Sequence, residues 1–482
     1  MEGAGKPSVD AVVVGGGPNG LAAAIVLARA GRSVTLFEGA STVGGGTRSA
    51  ELTLPGFVHD VCSSIHTFGR TSPFFAGLDI ERHGLRWLEA PAALGHPLDD
   101  GTAVILRGGV AETAARLEDP RDAEAYRRLL DPIVDDWQEL LGDVLAPFHV
   151  PLPPRRALRL ARFGWHAIQP ATRLARRFRG ERARALFAGA AAHSIIGLSE
   201  PISAAAGLVL AGAAHADGWP FPQGGAGRLA EAMAAELRAL GGTIRTGEWV
   251  ERFEQLPAHA IAVFDVAPRQ LDAIVGDRLP PGYRRALLRY RHGAGIFKLD
   301  LAIDGAIPWR AAELAEAGTV HLGGTLEEIA RSEGQVAAGR VPDKPFVLLT
   351  QVSLFDRSRA PDGRNTVWAY CHLPNGSTAD MSQPILRQIE RFAPGFREQV
   401  LATVATGPAE LEAYNPSLVG GDIAGGRLDL AQLFTRPTGR FIDPYATPNR
   451  SIFIASSATP PGGGVHGMCG SNAARSALRR GF

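Results

Sequence analysis

The stretch DAVVVGGGPNGLAAAIVLARAGRSVTLFE, residues 10–38, carries the pattern from which we predict the fold of this chain. It opens with consecutive valines (Val12–Val14), which are typical of a strand buried on both faces of a parallel sheet. Gly15, Gly17 and Gly20 then form a G-x-G-x-x-G turn into a helix, and Glu38 ends the next strand. This order predicts a bound dinucleotide, with its diphosphate at the helix N-terminus and a ribose at Glu38. The alternative is a glycine-rich turn of purely structural use.

A second glycine cluster follows directly, in the segment GASTVGGGTRSAELTLPGFVHDVCSSIH at residues 39–66. An NAD dehydrogenase would normally continue here into its next helix and strand. Gly45, Gly46, Thr47 and Arg48 instead resemble the second cofactor signature of the superfamily that contains flavin amine oxidases and phytoene desaturases. The resemblance implies that the dinucleotide is FAD and that these residues lie along its diphosphate. The arginine that usually follows the glycine pair in that superfamily is Gly46 in this chain.

The C-terminal stretch TPPGGGVHGMCGSNAARSA, residues 459–477, repeats the order of strand, glycine loop and helix. In the same superfamily this is the last FAD motif, which brings backbone N–H groups and a helix N-terminus close to the flavin ring. The resemblance therefore implies flavin contacts from five residues of the loop, which are Gly462, Gly463, Gly464, Val465 and Gly467. A glycine hinge before a packed helix is the alternative.

The resemblance extends over most of the chain. The segments GWPFPQGGAGRLAEAM, GAGIFKLDLAIDGAIPW and GGDIAGGRLDLAQLFTRP are similar to the branch of phytoene-desaturase-related flavoproteins called pyridine nucleotide-disulphide oxidoreductase domain-containing protein 2. Despite the name of that branch, Cys62, Cys371 and Cys469 are far apart in sequence and form no C-x-x-C pair. We therefore expect neither dithiol chemistry nor a metal site.

The positions of these motifs predict an α/β fold: a discontinuous FAD-binding, Rossmann-like domain with an inserted substrate domain of mixed sheet plus helical cap. Family members place a P-x-G-G turn beside the flavin, which here implies contacts from Gly224 and Gly225. The predicted boundaries are an FAD-binding domain at 1–90, 220–276 and 435–482, a helical cap at 91–219, and a substrate-domain sheet at 277–434.

Composition limits the classes of function. The 482 residues are 45% hydrophobic and 21% charged with a net charge of +1, which does not favour nucleic acid as a partner. We expect a cytoplasmic protein, because no N-terminal leader and no stretch of about 18 apolar residues is apparent. The arginine-rich segment at residues 154–184 leaves two interpretations open, namely peripheral contact with an anionic membrane or a solvated helical cap.

Two residues are candidates for chemistry beyond the cofactor. Lys298 lies in the predicted strand AGIFKLDLAI, which resembles the strand on which flavin amine oxidases place a lysine that holds a water near flavin N5; Asp300 shares its face. His466 lies inside the last glycine loop and could act as an acid or base near neutral pH.

The predicted function is FAD-dependent oxidation of an apolar organic substrate, with C=C formation as in phytoene desaturases. Amine oxidation and a mainly regulatory flavoprotein are the two alternatives. The sequence leaves open the electron acceptor, which could be oxygen, a quinone or another carrier, as well as the oligomeric state and whether FAD is covalently bound.

Overall fold

A computed structural model describes residues 8–147 and 153–482 of the chain. The first residues of the predicted FAD-binding domain and residues 148–152 of the predicted cap lie outside the described residues. The strands are β1 (Val9–Val14), β2 (Val34–Glu38), β3 (Ser49–Glu51), β4 (Val58–Asp60), β5 (Trp87–Leu88), β6 (Ala92–Pro97), β7 (Ala103–Leu106), β8 (Phe221–Pro222), β9 (Thr243–Thr246), β10 (His259–Phe264), β11 (Gly295–Asp304), β12 (Ala317–Leu322), β13 (Val347–Thr350), β14 (Arg364–Leu373), β15 (Val400–Thr406) and β16 (Ile452–Ile454).

Helices cover both sheets and form the cap. They are α1 (Pro18–Arg29), α2 (Val110–Ala114), α3 (Pro120–Val134), α4 (Trp137–Val144), α5 (Pro154–Ala167), α6 (Ala171–Leu174), α7 (Glu181–Ala192), α8 (Ser203–Ala216), α9 (Gly227–Ala239), α10 (Pro268–Val275), α11 (Pro281–Leu288), α12 (Leu326–Ala337), α13 (Ser382–Phe392), α14 (Pro408–Tyr414), α15 (Leu430–Thr435) and α16 (Met468–Arg479). In the described part of the chain, none of these helices has the length and hydropathy needed to cross a bilayer.

The first sheet is parallel, with strand order β16-β10-β1-β2-β9. Its strands come from the beginning, the middle and the end of the sequence, so the Rossmann-like domain is discontinuous. The core of β1 is fully buried at Val12 and Val13, as its valine run predicts. The predicted α/β class is confirmed, and the carboxyl ends of β1, β2 and β10 meet at one edge of the sheet, where open α/β folds bind ligands.

The second sheet is mixed, with strand order β15-β11-β14-β13-β12-β6-β7. One face packs into an apolar core that includes Leu299, Val320 and Leu349. The other face points toward the cofactor-binding domain. It carries Lys298 and Trp368, because Trp368 is paired with Asp300, which lies two residues after Lys298 and therefore on the same side of the strand. This sheet therefore forms the wall opposite the first sheet.

The predicted cap at 91–219 is not entirely helical. Residues 92–106 form the β6–β7 hairpin, which joins the second sheet through parallel pairing of β6 with β12. The segment AALGHP has few β-branched residues, so its own propensity does not predict a strand, and it is the pairing with β12 that holds it in place. The residues of strand β11 alternate in a pattern typical of a half-buried strand, but the strand is buried on both faces from Gly295 to Ile303.

Candidate functional site

The loop between β1 and α1 is shaped to receive a phosphate group. Gly15 has a φ of +101°, and a Cβ at this position would lie 2.5 Å from the carbonyl oxygen of Asp265. A Cβ on Gly20 would lie 1.9 Å from the carbonyl oxygen of Gly15. Gly17 is the N-cap of α1 and Pro18 begins its first turn, so the positive end of the helix dipole is at this loop. The geometry therefore favours an anion here.

Glu38 is fixed at the end of β2 by two backbone N–H groups. Its Oε2 accepts a hydrogen bond from the N–H of Gly16 at 2.8 Å, and its Oε1 accepts one from the N–H of Ala40 at 2.8 Å. Arg48 forms an ion pair with the same carboxylate at 3.1 Å, and its guanidinium group lies over the ring of Tyr414. Arg48 thus orients Glu38, and both residues line the cavity described below.

The second glycine turn packs directly on the first. A Cβ on Gly45 would lie 3.1 Å from the Cα of Gly17, which explains why two glycines meet at this point. The hydroxyl of Thr47 donates to the carbonyl oxygen of Gly44 at 2.8 Å and closes the turn. Gly45, Gly46 and Thr47 all line the cavity. The two turns that the sequence places 25 to 30 residues apart therefore form one surface.

The C-terminal loop closes the other end of this surface. Gly463, Gly464, Val465 and His466 line the cavity. Gly467, with a φ of +67°, is the N-cap of α16, and a Cβ there would lie 2.4 Å from the ring of Phe74. Its role is therefore to allow close packing. The same holds for Gly462, where a Cβ would lie 2.6 Å from the Arg436 guanidinium group.

His466 is a neutral hydrogen-bond donor at this wall. Its Nδ1 accepts a hydrogen bond from the N–H of Met468 at 3.0 Å, which leaves the proton on Nε2. Burial lowers the pKa of His466 to about 4, and among the described residues Nε2 has no partner. His66, on the facing segment, is likewise buried, and burial lowers its pKa to about 4. Both imidazoles are uncharged at neutral pH.

These walls enclose one cavity of about 1420 Å³. This is larger than the roughly 300–1,000 Å³ typical of a site for one small ligand, so a dinucleotide and a second molecule can share it. Away from the glycine loops the cavity is lined by apolar side chains, which include Leu160, Phe163, Ile168, Val209, Leu210 and Leu348. The site therefore has a dinucleotide part and an apolar part.

Lys298 lies behind the cavity wall. It is fully buried, its Nζ donates to the carbonyl oxygen of Val61 at 2.7 Å, and it pairs with Asp300 at 2.6 Å. It does not line the cavity, so its contacts fix the segment that carries Cys62, which does line it. Burial raises the pKa of Asp300 to about 6, although the neighbouring Lys298 opposes the shift. A catalytic role for Lys298 stays a prediction.

Gly224 and Gly225 also lie outside the cavity lining. A Cβ on Gly225 would lie 2.4 Å from the hydroxyl oxygen of Ser49, and the N–H of Gly224 donates to Asp356 at 2.7 Å. Both glycines belong to a buried network around Arg359, so they support the wall from behind. Their predicted contact with the flavin has no counterpart among the lining residues.

That network is the strongest feature that the sequence did not reveal. Arg359 donates to Asp60 at 2.5 Å, to Asp356 at 3.0 Å and to the carbonyl oxygen of Pro222 at 3.0 Å, and it is 1% exposed. Burial alone would raise the pKa of Asp60. The Arg359 guanidinium and the N–H of Ala226 outweigh this effect and hold the pKa of Asp60 below its usual range. A buried acid with this pKa is charged at neutral pH.

Two other polar residues line the cavity, namely Asp265 and His193. Asp265 directly follows β10 and lines the cavity beside the first glycine loop. His193, at the end of α7, bonds His321 through their Nε2 atoms at 3.0 Å and contacts Trp219 edge-on. Asp265 directly follows a parallel strand, and this position could have indicated a site residue from sequence. No local sequence pattern indicates that residues 193 and 321 are in contact.

The described residues fit a flavin dinucleotide. One continuous surface is surrounded by three features. They are two glycine turns without room for side chains, a fixed acid at the end of β2, and a third glycine loop at the N-terminus of α16. In the described ranges, no group of three His, Cys, Asp or Glu side chains could hold a metal ion. The fold and the site thus define an oxidoreductase of the flavin-dependent class.

Comparisons with known proteins agree with this class. Residues 13–78 match the family described as NAD(P)-binding Rossmann-like domain. The chain is 27% identical to pyridine nucleotide-disulfide oxidoreductase domain-containing protein 2 of Rattus norvegicus, over 98% of this chain and 94% of that protein. It is 29% identical to the phytoene dehydrogenase of Streptomyces griseus, over 81% of this chain and 77% of that protein. The predicted resemblance is confirmed.

Solved structures share the fold. An oxidoreductase from Methanosarcina mazei superposes with a TM-score of 0.63 at 14% identity, covering 98% of this chain and 100% of its own. Cyclohexylamine oxidase from Brevibacterium oxydans superposes with a TM-score of 0.61 at 16% identity, covering 98% and 99%. At these identities the likeness concerns the fold alone.

Proposed function

We propose that the chain is an FAD-dependent dehydrogenase that oxidises an apolar organic substrate by forming a C=C bond. When bound, FAD supplies the two-electron oxidation. The observation that carries the proposal is the continuity of the apolar part of the cavity with the dinucleotide part. The relative named phytoene dehydrogenase supports the same reaction type.

The chain's own residues bind, orient and exclude water. Gly15, Gly17 and the dipole of α1 would hold the diphosphate, and Glu38 would hold a ribose. The neutral Nε2–H of His466 would provide a hydrogen-bond donor to the cofactor at the C-terminal glycine loop. Leu160 on α5 and Val209 on α8 exclude water from the substrate, which strengthens the electrostatic interactions inside the site.

Amine oxidation is the second candidate, because the fold is that of an amine oxidase. A protonated amine needs an anionic or aromatic partner in its pocket. Among the described residues, Asp143 is the acidic side chain on the apolar side of the cavity. Arg156 and Arg159 form ion pairs with it. The Nζ of Lys298 is likewise engaged by Asp300 and Val61. Because Asp143 and Lys298 are engaged, the charged contacts favour an uncharged substrate, whereas Trp368 and Tyr370, which also line the cavity, are the aromatic partners that an amine would use.

The test is anaerobic reduction of the FAD-loaded protein by a panel of isoprenoids, amines and fatty acyl compounds, followed as bleaching of the flavin absorbance. We expect bleaching by an uncharged isoprenoid or acyl compound. Bleaching by amines alone would select the second candidate. Bound flavin that no compound reduces would favour a regulatory flavoprotein instead. The same assay with oxygen or a quinone added identifies the electron acceptor.

We further propose that apolar substrates enter from a membrane surface. Helix α5 places Leu160 in the cavity and exposes Leu158 and Trp165 on its opposite face, at 73% and 70% exposure. The same segment carries many arginines, which attract anionic lipids. Co-sedimentation with vesicles of phosphatidylcholine and phosphatidylserine at low salt tests this. The double variant Leu158→Ser and Trp165→Ser should bind several-fold less, and equal binding would contradict the proposal.

A further inference from the structure

An acidic side chain reaches the phosphate cradle from a neighbouring strand. Asp265 directly follows β10, and β10 pairs in parallel with β1, so the two carboxyl ends lie side by side. Its Oδ2 accepts a hydrogen bond from the N–H of Gly20 at 2.8 Å, and this oxygen lies 3.0 Å from where a Cβ on Gly17 would be. The carboxyl group is therefore part of the surface that a diphosphate at this helix end contacts.

The surroundings of Asp265 offer little to stabilise a negative charge. In the described part of the chain, no basic side chain pairs with this carboxyl group. From β2, the charged group that faces Asp265 is Glu38, whose charge Arg48 partly neutralises. From α16, the titratable group near Asp265 is the buried thiol of Cys469. Burial, reinforced by the Glu38 charge, raises the pKa of Asp265 to about 7, although the Gly20 N–H opposes the shift.

A diphosphate adds negative charge to the same place. An ionised Asp265 would repel it, because like charges a few Å apart inside a protein are screened far less than in water. A protonated Asp265 has the opposite effect, because its O–H can donate a hydrogen bond to a phosphate oxygen while the other oxygen accepts from Gly20. The half-buried carboxyl group lines the cavity and is accessible from it.

We propose that Asp265 binds the cofactor diphosphate as a neutral carboxylic acid, with its O–H donating to a phosphate oxygen. This inference rests on FAD as the proposed cofactor. Its consequence is that FAD binding above neutral pH takes up a proton from solution. The affinity for FAD is therefore constant below about pH 7 and falls as the pH rises further, by up to about tenfold per pH unit.

The experiment is a titration of flavin-free protein with FAD at several values between pH 6 and pH 9, followed by flavin fluorescence. The wild-type dissociation constant should rise above pH 7. Asp265→Asn should remove this rise and bind FAD more tightly than the wild type at pH 9, because the amide keeps one acceptor for Gly20 and one donor for the phosphate. Asp10→Asn, at the opposite end of β1, is the matched control and should keep the wild-type profile.

A calorimetric measurement avoids reliance on the variant. FAD binding to the wild type at pH 8, in buffers of different ionisation enthalpy, should show uptake of up to about one proton. A flat wild-type pH profile, no proton uptake, or weaker binding by folded Asp265→Asn at every pH would overturn the role of Asp265 while leaving FAD as the cofactor. If neither protein binds FAD at any pH, the proposed function fails as well, so the two failures are distinguishable.

Discussion

Arg359 connects three segments that are distant in sequence. It is separated by 299 residues from Asp60, which ends β4, and it also contacts Asp356 and the carbonyl oxygen of Pro222. Because Asp60 also accepts from the N–H of Ala226, the guanidinium group ties the second glycine turn region to the start of α9. The positions of these segments, which lie behind the cavity, therefore depend on the buried positive charge of Arg359.

We predict that Arg359→Met destabilises the protein strongly. The substitution leaves Asp60 and Asp356 buried without their cation, which typically costs about 3–5 kcal/mol. The free energy of unfolding in urea measures the effect. Arg128→Met is the control, since the Arg128–Glu124 pair is exposed and such pairs contribute about 0.5 kcal/mol or less. Similar values for the two variants would contradict this account.

The glycine residues of the site and the charged residues Glu38 and Arg48 could be predicted from sequence, whereas Asp265 and Arg359 could not. Gly15, Gly17 and Gly20 are required by backbone geometry within a few positions of one another, so their spacing is informative. Asp265 and Arg359 act on partners hundreds of positions away, and only the fold reveals them. Lys298 was found through its strand and Asp300 through its position on the same face, but their burial and the contact with Val61 depended on β11 lying between β15 and β14 in its sheet.

At the scale of elements, the C-terminal helix is an integral part of the cofactor domain. Helix α16 packs against α1 so closely that a Cβ on Gly470 would lie 1.7 Å from the carbonyl oxygen of Asn19. Since α1 begins at the first glycine loop and α16 at the last, this contact sets the distance between the two loops. The strand pairings of β6 with β12 and of β16 with β10 similarly join distant segments, which is why local propensity did not predict the β6–β7 hairpin.

We predict that Gly470→Ala separates α16 from α1 and weakens flavin binding. Overpacking of this kind costs roughly 1–3 kcal/mol, so the variant should fold at reduced stability with a higher dissociation constant for FAD. Gly334→Ala is the matched control, because Gly334 is also inside a helix and a Cβ there would contact nothing within 4 Å. Unchanged flavin affinity in Gly470→Ala would show that α16 does not position the loop.

On the scale of the whole molecule, buried histidines set the response to acid. Burial lowers the pKa of His59, His66, His96 and His466 to about 4 and that of His193 to about 3. A histidine whose folded pKa is depressed stabilises the fold fully above its unfolded pKa of about 6.5, and this contribution is lost as the pH falls toward the folded value.

We predict that the free energy of unfolding decreases by several kcal/mol between pH 7 and pH 5. Each such histidine contributes up to about 2 kcal/mol over this range. Asp265 and Asp300, whose pKa values are raised, oppose the trend, but the buried histidines outnumber them. Urea unfolding at the two pH values measures the change. The double variant His193→Gln and His321→Gln should lose less stability, and equal stability of the wild type at both pH values would contradict the prediction.

The molecule as a whole places an apolar cavity next to a dinucleotide cradle, and we propose that the two parts work together in one reaction. The most direct test is to load the purified protein with FAD, record its visible spectrum, and add the substrate panel anaerobically. Our account predicts a bound flavin spectrum that an uncharged isoprenoid or acyl compound bleaches. Protein that retains no flavin after supplementation with FAD would contradict it.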